Sequence, residues 1–145
     1  MISKLYDASN AGVKIKLIIR GICCLIPGVQ GQSENISIIR IVDRYLEHGR
    51  IFIFHNNGNK DVFMGSADWM NRNIYSRIEV CFPIHDLQIK KQLEQLIDFQ
   101  INDTEQAVQL DPTLQNIPIA EKNGIRAQEE IYKLLIAAQL KQELS

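Results

Sequence analysis

Residues 13–19, with the sequence VKIKLII, constrain the fold more than any other stretch of the chain. Polar and apolar residues alternate at the start of this run, and its end is entirely apolar. That pattern predicts a β-strand that is covered on one face at first and on both faces later. A strand buried on both faces requires a layer of structure on each side of its sheet, so helices are expected to pack against it.

The remaining segments supply helices and further strands. Ile2, Leu5 and Tyr6 share one face of an N-terminal helix, and NNGN at 56–59 is a strong turn signal. Ser33–Asn35 offers N-caps for a helix. The predicted elements are helices at 1–9, 36–47, 86–100 and 127–144, strands at 13–19, 50–55, 60–66 and 77–82, and a polar loop at 102–123. This order predicts an α/β fold, a mixed β-sheet flanked by helices.

The composition is that of an ordinary globular domain. The chain has 145 residues, of which 46% are hydrophobic and 23% are charged, and its net charge is -1. These values argue against a disordered chain and against bulk attraction to nucleic acid or membrane. The sequence lacks an apolar run of about 18 residues, so no transmembrane span is indicated. We therefore expect a single domain over residues 1–145.

The N-terminus and the cysteines indicate the cellular compartment of the chain. The first residues enter a helix almost at once and lack the apolar core of a secretion signal. Cys23, Cys24 and Cys81 match neither a disulfide framework nor a zinc-binding spacing. These features predict a cytoplasmic chain with reduced thiols. The abrupt start suggests a fragment of a longer protein.

Arg20 follows the apolar strand directly and precedes Gly21. A guanidinium stays charged in proteins, so at a buried strand end it would need an anionic partner, and its planar fork suits phosphate oxygens. One such charged hydrogen bond contributes about 1.5–3 kcal/mol. Ligands of α/β sheets also bind beyond the carboxyl ends of strands. The alternatives are an ion pair with a carboxylate and simple exposure to solvent.

His48 lies at the end of the predicted helix 36–47, with Gly49 as the helix stop. A histidine can donate or accept a proton at cellular pH, and such acid or base assistance is typically worth about 10²–10⁴ in rate. The alternative is a histidine that only stabilises a helix C-terminus. His55 is expected in an exposed turn, and His85 is assigned no chemistry.

A second polar group follows the predicted strand 60–66. Ser66 and Asp68 could hydrogen-bond a histidine or each other, and Gly65 permits close backbone approach to a ligand. Arg50 lies two residues after His48. Serine and aspartate also serve as ordinary turn and cap residues, and this alternative stays open. The sequence lacks a phosphate-binding loop of the Walker type.

Three long blocks are more specific than any of these residues alone. They are VKIKLIIRGICCLIPG, SENISIIRIVDRYLEHGRIFIFHNNG and VFMGSADWMNRN. In order and spacing they resemble the C-terminal region of bacterial polyphosphate kinases, and the resemblance extends from about Ile2 into the last helix. It implies that residues 1–145 are a fragment corresponding to the C-terminal phospholipase D-like domain of a larger polyphosphate kinase.

The resemblance also implies a fold and its motif. The catalytic half of this family has two phospholipase D-like domains, and this chain resembles the second. The phospholipase D pattern places a lysine two residues after a histidine and then a Gly-Ser-x-Asn segment. His48 and Arg50 occupy the first positions, and Gly65–Asp68 occupies the second. Arginine therefore replaces lysine and aspartate replaces asparagine, substitutions that are usual for polyphosphate kinases.

The reaction implied by the resemblance is reversible transfer of the γ-phosphate of ATP, through a phosphohistidine, to inorganic polyphosphate. The phosphohistidine and the Mg²⁺ contacts are expected in the preceding domain. By resemblance, Arg20 binds nucleotide phosphate, and His48 is the catalytic acid or base that faces the phosphohistidine. Arg50, Ser66 and Asp68 are expected to support them, with Asp68 orienting His48. The expected partners are ATP or ADP, polyphosphate, the other domains of the enzyme and further copies of the chain.

Two other functions stay open. A stand-alone phospholipase D-like phosphodiesterase could obtain a second histidine by forming a homodimer. A non-catalytic polyanion-binding module would present a face of arginines, although the net charge of -1 argues against a large basic surface. That face would comprise Arg20, Arg40, Arg44, Arg50, Arg72 and Arg77.

Overall fold

The computed structural model describes residues 1–122 and 124–143. Residues 123 and 144, which belong to the predicted loop and last helix, and residue 145 lie outside this description. In chain order the elements are α1 (Ile2–Asn10), β1 (Ile15–Ile18), β2 (Ile36–Ile41), β3 (Arg50–Phe54), a 3₁₀ turn (Asn56–Gly58), β4 (Asp61–Gly65), α2 (Asn71–Ser76), β5 (Cys81–Pro83), α3 (Leu87–Ile101), β6 (Ala107–Leu110), β7 (Asn116–Pro118) and α4 (Ala127–Glu143).

The chain divides into two compact units. Unit 1 comprises Met1–Tyr45 and the residues from Asp98 onward, and unit 2 comprises Leu46–Ile97. Unit 1 contains a four-stranded sheet in the order β1-β2-β6-β7, and unit 2 contains a three-stranded sheet in the order β3-β4-β5. The α/β prediction is confirmed, with the strands shared between two sheets. The single-domain organisation stays a prediction.

The sheet of unit 1 is mixed and has apolar residues on both faces. Strands β1 and β2 are parallel, with Ile15 opposite Ile36, whereas β6 is antiparallel to both of its neighbours. One core cluster joins Leu25, Ile36, Ile38 and Leu110 to the predicted face of α1, formed by Ile2, Leu5 and Tyr6. The other joins Ile41, Ala107 and Ala127 to Phe99 and Ile131. The prediction of a strand covered on both faces is therefore correct for β1.

The helix predicted at 36–47 is wrong. Residues Ile36–Ile41 form β2, and residues 42–49 form an irregular segment. Strand β2 lies between β1 and β6, so it contributes to both apolar faces and its hydrophobic residues do not alternate. Its run of isoleucines also favours a strand, because β-branched side chains fit a pleated sheet better than a helix.

The predicted helix caps at Ser33–Asn35 are wrong for the same reason. The Ser33 hydroxyl accepts a hydrogen bond from the N–H of Val29 at 3.1 Å, which closes a turn. The Asn35 side-chain amide donates to the Ser9 carbonyl at 2.9 Å, at the end of α1. These polar residues therefore fix the loop between β1 and β2.

Two short strands lie within the predicted loop 102–123. They are β6 and β7, of four and three residues, and they pair antiparallel with Leu110 opposite Asn116. Pro112 and polar residues interrupt the hydrophobic pattern around them, so periodicity alone gave no strand signal. The loop prediction is wrong for these seven residues and correct for much of the remainder.

Asp103 links β6 to the beginning of α4. Its side chain is fully buried, and Oδ1 accepts hydrogen bonds from the N–H groups of Glu105, Gln106 and Ala107 at 2.9, 2.7 and 3.1 Å. Oδ2 accepts a fourth from the N–H of Ala127 at 2.7 Å. Because the first N–H groups of a helix lack intrahelical partners, this carboxylate satisfies one of them in α4.

The sheet of unit 2 is antiparallel and contains the predicted hairpin. Arg50 lies opposite Gly65, and Gly65 lies opposite Cys81. The strands predicted at 50–55 and 60–66 and the turn between them are confirmed. The strand predicted at 77–82 is reduced to Cys81–Pro83, and α2 was not predicted.

Helix α3 agrees with its prediction to within a residue at each end. Asp86 precedes it and accepts hydrogen bonds from the N–H groups of Gln88 and Ile89 at 2.8 and 2.9 Å, the usual role of an N-cap aspartate. Within the described parts of the chain, no helix combines the length and hydrophobicity that a bilayer crossing needs.

Candidate functional site

Arg20 belongs to unit 1 and lies two residues beyond the end of β1. The parallel pairing continues to its neighbour, since the N–H of Ile19 donates to the Ile39 carbonyl at 2.9 Å. The side chain is exposed, so the sequence argument from a buried strand end is wrong for Arg20. Arg20 thus lies beyond the carboxyl end of a strand, where ligands of α/β sheets bind.

Arg40 fixes the backbone that follows Arg20. Its Nη2 donates to the Gly21 carbonyl at 3.1 Å, and its Nη1 donates to Oδ1 of Asn116 at 2.9 Å. Its Nε is buried and lacks a hydrogen-bond partner among residues 1–122 and 124–143. The contacts of Arg40 are therefore with neutral oxygens, and they hold the β1 terminus against β2 and β7.

The beginning of α4 holds the segment that leads toward His48. Arg126 donates through Nη2 to Oδ1 of Asp43 at 2.6 Å and through Nε to Oδ2 at 2.9 Å. This contact holds the pKa of Asp43 below its ordinary value, although burial acts in the opposite direction. Tyr45 and Gln128 exchange two hydrogen bonds, of 2.9 and 2.8 Å, between backbone and side chain. Residues 43–45 are thus attached to α4.

Unit 2 brings His48, Arg50 and Asp68 together. Arg50 donates through Nε and Nη2 to Oδ1 of Asp68, at 3.1 and 2.8 Å. Its Nη1 lies 2.6 Å from the His48 carbonyl oxygen and 2.9 Å from the His48 Nδ1. Arg50 is only 16% exposed, whereas the His48 side chain reaches solvent. Asp68 therefore acts on His48 through Arg50.

Both ring nitrogens of His48 face the guanidinium of Arg50. A guanidinium can only donate hydrogen bonds, so the imidazole nitrogen that receives its N–H must be unprotonated. Nδ1 makes the shorter contact with Arg50, at 2.9 Å against 3.4 Å for Nε2. Both nitrogens of the ring therefore lie within hydrogen-bonding distance of the guanidinium, Nδ1 more closely than Nε2. The helix predicted before His48 is absent, so a helix terminus does not orient it.

Ser66 hydrogen-bonds to residues 79 and 80, which directly precede β5. Its hydroxyl donates to Oε2 of Glu79 and accepts from the N–H of Val80 at 3.1 Å, and its own N–H donates to the Val80 carbonyl at 2.9 Å. The side-chain amide of Asn73 donates to Oε1 of Glu79 at 2.6 Å. The hydrogen bonds from Ser66 and Asn73 lower the pKa of Glu79, so it is a carboxylate at neutral pH.

Sequence reasoning missed Glu79 and Asn73. A carboxylate between Ile78 and Val80 in a predicted strand was a usable signal, because a charged group in an apolar run needs hydrogen-bond donors. Asn73 gave no such signal, since α2 itself was not predicted. His55 and His85 are both exposed, and neither has an assigned role.

The described part of the chain contains no cluster of three or more His, Cys, Asp or Glu side chains that could hold a metal ion. The two carboxylates nearest His48 along this network are already occupied, Asp68 by Arg50 and Glu79 by Ser66 and Asn73. Their donor set does not fit Mg²⁺, which prefers several free oxygens and waters in octahedral geometry.

Comparisons with known proteins agree on one family. The family model described as polyphosphate kinase C-terminal domain 2 matches residues 1–128. The polyphosphate kinase of Vibrio vulnificus strain YJ016 is 49% identical over 137 residues, which is 93% of this chain and 20% of that protein. The polyphosphate kinase of Escherichia coli K12 is 46% identical over 134 residues, which is 91% of this chain and 20% of that protein.

A solved structure gives the same answer for the fold. The crystal structure of polyphosphate kinase from Porphyromonas gingivalis superposes with a TM-score of 0.89 at 44% identity, and the match covers 99% of this chain and 22% of that one. It confirms the predicted phospholipase D-like α/β class. The chain spans about a fifth of the length of the curated relatives it matches. The resemblance drawn from the three sequence blocks is thus confirmed, and the chain belongs to the polyphosphate kinase family, in its C-terminal domain 2.

Proposed function

We propose that this chain works within a polyphosphate kinase that transfers the γ-phosphate of ATP, through a phosphohistidine in the preceding domain, to inorganic polyphosphate, and that the transfer is reversible. The observation that carries the proposal is the hydrogen-bonded group of His48, Arg50 and Asp68 at one end of the unit 2 sheet. It lies in a chain whose relatives are named polyphosphate kinases.

Arg20 is proposed to bind the phosphate oxygens of the nucleotide. Phosphoryl transfer requires mainly that the enzyme position the groups and stabilise the charge on the transferred oxygens. An exposed guanidinium at a strand end, with the following backbone held by Arg40, can supply both functions.

His48 is proposed to act as the acid or base that faces the phosphohistidine. The His48 side chain is exposed, and its imidazole can exchange a proton with the group being transferred or released. Arg50 keeps the ring oriented, Asp68 keeps Arg50 in place, and Ser66 fixes the segment that carries Asp68. Each assignment within this group is a proposal.

The cofactor and partners follow from the same proposal. ATP or ADP and polyphosphate are the substrates, and Mg²⁺ neutralises phosphate charge when its ligands come from the rest of the enzyme. The other domains of the enzyme and a second copy of the chain are the proposed protein partners. The proposed location is the cytoplasm, with peripheral attachment to the inner membrane as the alternative.

The test is a chimera in which this chain replaces the matching 134 residues of the Escherichia coli relative. We expect the chimera to make polyphosphate from ATP, and the isolated chain to make none. His48→Ala should reduce turnover at least about 100-fold, as expected for loss of an acid or base group. His55→Ala is the matched control, because His55 is an exposed turn histidine of the same unit.

Two results would contradict the proposal. An unmodified chimera that folds but makes no polyphosphate would exclude the activity for this chain. Equal turnover of His48→Ala and His55→Ala would exclude His48 from the reaction. Hydrolysis of a nitrophenyl phosphodiester by the isolated chain would instead identify the stand-alone phosphodiesterase.

A further inference from the structure

Arg40 lies at the same end of the unit 1 sheet as Arg20. Strands β1 and β2 are parallel, with Ile18 opposite Ile39, and the N–H of Ile19 donates to the Ile39 carbonyl at 2.9 Å. Arg40 is the next residue of β2, so it lies alongside the residue that precedes Arg20. Two arginines therefore belong to the carboxyl ends of neighbouring parallel strands, the edge at which α/β sheets bind their ligands.

The Arg40 guanidinium joins segments from both edges of the sheet. Nη2 donates to the Gly21 carbonyl at 3.1 Å, just beyond β1, and Nη1 donates to Oδ1 of Asn116 at 2.9 Å, in β7. Strands β1 and β7 are the two edge strands of the four. The Nε atom is buried, so the stem of the side chain is fixed as well. Asn116 thus anchors the guanidinium within reach of Gly21.

Packing does not hold the segment that follows Arg20. Gly21 is exposed, and a Cβ atom added there would meet nothing within 4 Å. Glycine also has more backbone freedom than any other residue. The hydrogen bond from Arg40 to the Gly21 carbonyl therefore restrains a part of the chain that packing leaves open, in the residue next to Arg20.

Arginine suits this role better than another donor would. The planar guanidinium carries separate Nη donors in a fixed geometry, so it can serve two acceptors at once, whereas an ammonium is a single point of charge. Both acceptors are neutral oxygens, and no carboxylate pairs with Arg40 among the residues that the structure describes. A brace with neutral acceptors places no negative charge at an edge proposed to bind phosphate, where a carboxylate would repel the ligand.

We propose that Arg40 is a positioning residue for nucleotide binding, which restrains the Gly21 backbone and so orients Arg20 toward the phosphate oxygens. This inference rests on the proposed function and extends it to a residue that does not itself touch the nucleotide. Arg20, Arg40 and Asn116 all belong to unit 1, whereas the groups proposed for proton transfer belong to unit 2. The effect of Arg40 is therefore expected on nucleotide binding rather than on the rate of transfer.

Arg40→Met in the chimera removes both hydrogen bonds and leaves an apolar stem in the sheet. We expect KM for ATP to rise about fivefold and kcat to change by less than about twofold, the pattern of weakened substrate binding. Arg40→Lys should bring KM back to within about twofold of the parental value, because an ammonium can still donate to the Gly21 carbonyl although it lacks the fork that also reaches Asn116.

Lys16→Met is the matched control. Lys16 is an exposed cation of the same unit and lies within β1, opposite Ser37. The substitution removes the same charge and introduces the same side chain, but it leaves the hydrogen bonds of Arg40 intact. KM for ATP and kcat should both stay at the parental values.

Asn116→Ala is the second variant, and it keeps Arg40 itself. Asn116 is exposed in an edge strand, so its loss removes the far anchor of the guanidinium with little disturbance of the core. KM for ATP should rise about two- to threefold at unchanged kcat. Thermal melting of each chimera shows the folded fraction, and a rise in KM that is absent from both Arg40→Met and Asn116→Ala would overturn the proposal.

An Arg20→Ala background separates positioning of Arg20 from general damage to the sheet. Arg20→Ala should raise KM for ATP more than Arg40→Met does. If Arg40 acts through Arg20, adding Arg40→Met to Arg20→Ala should raise KM by less than about a further twofold. Effects on KM that multiply in this double variant would show that Arg40 acts independently of Arg20, which contradicts the proposal.

Failure of this inference differs from failure of the proposed function. If Arg20→Ala raises KM for ATP while Arg40→Met and Asn116→Ala match Lys16→Met, the positioning role is wrong and the proposed function stands. If Arg20→Ala itself keeps the parental KM, the phosphate-binding role of Arg20 in the proposed function fails, and the role of Arg40 fails with it.

Discussion

At the scale of single residues, three aspartates hold backbone or basic side chains in place. Asp103 collects four backbone N–H groups, Asp43 holds Arg126, and Asp68 holds Arg50. None of these roles could be assigned from the sequence, where aspartates in loops are common turn and cap residues. Their importance follows from the burial and the number of donors that only the folded chain provides.

Asp103→Asn should destabilise unit 1 by about 1–3 kcal/mol, because an amide nitrogen would replace one acceptor and leave at least one buried N–H unpaired. Equilibrium denaturation in urea measures this change. Asp98→Asn, at an exposed position of α3, is the control and should shift stability by less than about 0.5 kcal/mol. Equal stability of the two variants would show that the four hydrogen bonds of Asp103 make no net contribution to the free energy of unfolding.

Protonation of Asp43 should lower the free energy of unfolding in acid. The pKa of Asp43 is lower in the folded chain than its ordinary value of 3.8, because Arg126 donates to the carboxylate. A lowered folded pKa means that the contribution is present above the unfolded pKa and is lost as pH falls through the folded pKa. We expect the free energy of unfolding to decline below about pH 4.

Asp43→Asn tests this cause. The variant should lose about 1.5–3 kcal/mol at pH 7 and should show a shallower decline in acid. Part of the decline should persist, because the pKa values of Glu79 and Asp111 are also lowered, by hydrogen bonds from Ser66 and from the backbone of Gln115. An unchanged acid profile in urea titrations from pH 7 to about pH 2 would contradict the assignment.

At the scale of elements, helices and strands that have a clear local sequence pattern were predicted correctly. Strands whose formation depends on their neighbours in the sheet were missed. The hairpin of β3 and β4 has a strong turn signal, and both strands were predicted. Strand β2 was mistaken for a helix because a central strand with two apolar faces loses its alternation. Strands β6 and β7 are too short and too polar to be detected without their neighbours.

In the candidate site, too, some residues could be identified from the sequence and others only from the fold. The motif positions His48, Arg50, Ser66 and Asp68 could be selected from the sequence because the family pattern marks them. The structure places Arg50 between Asp68 and His48, a detail that depends on side-chain geometry. Glu79 reaches the site only because β5 pairs with β4, and no local pattern reports a pairing between strands.

Gly65 connects the sheet of unit 2 to the site and provides a prediction at this scale. A Cβ atom on Gly65 would lie 3.1 Å from the Val80 carbonyl oxygen and 3.6 Å from Cε2 of Phe52. The nearer atom belongs to backbone that Ser66 already binds, so it cannot move away freely. Gly65→Ala should destabilise unit 2 by about 1–3 kcal/mol, as overpacking does.

Gly49→Ala is the matched control, because its added Cβ would meet only the Ile51 side chain, at 3.8 Å. Amide hydrogen exchange of β4 and β5 reports the stability of the sheet directly. Faster exchange in Gly65→Ala than in Gly49→Ala is expected. Identical protection in the two variants would show that the close approach at Gly65 is unimportant.

At the scale of the whole molecule, the two residues proposed to act on phosphate fall in different units. Arg20 belongs to unit 1 and the His48 group belongs to unit 2. The chain also spans only about a fifth of the length of the relatives it matches. The central claim is that Arg20 and His48 both serve the proposed phosphoryl transfer.

Kinetic coupling tests that claim directly. In the chimera, Arg20→Lys and His48→Gln keep enough activity to measure, and their double variant completes a cycle. Groups that act as a unit in one transition state have losses that do not multiply. We predict that the loss of kcat/KM in the Arg20→Lys/His48→Gln double variant is smaller than the product of the two single losses. In the control double variant, Arg20→Lys/His55→Gln, the loss of kcat/KM should equal the product of the single losses. Simple multiplication in the Arg20 and His48 cycle would contradict the account.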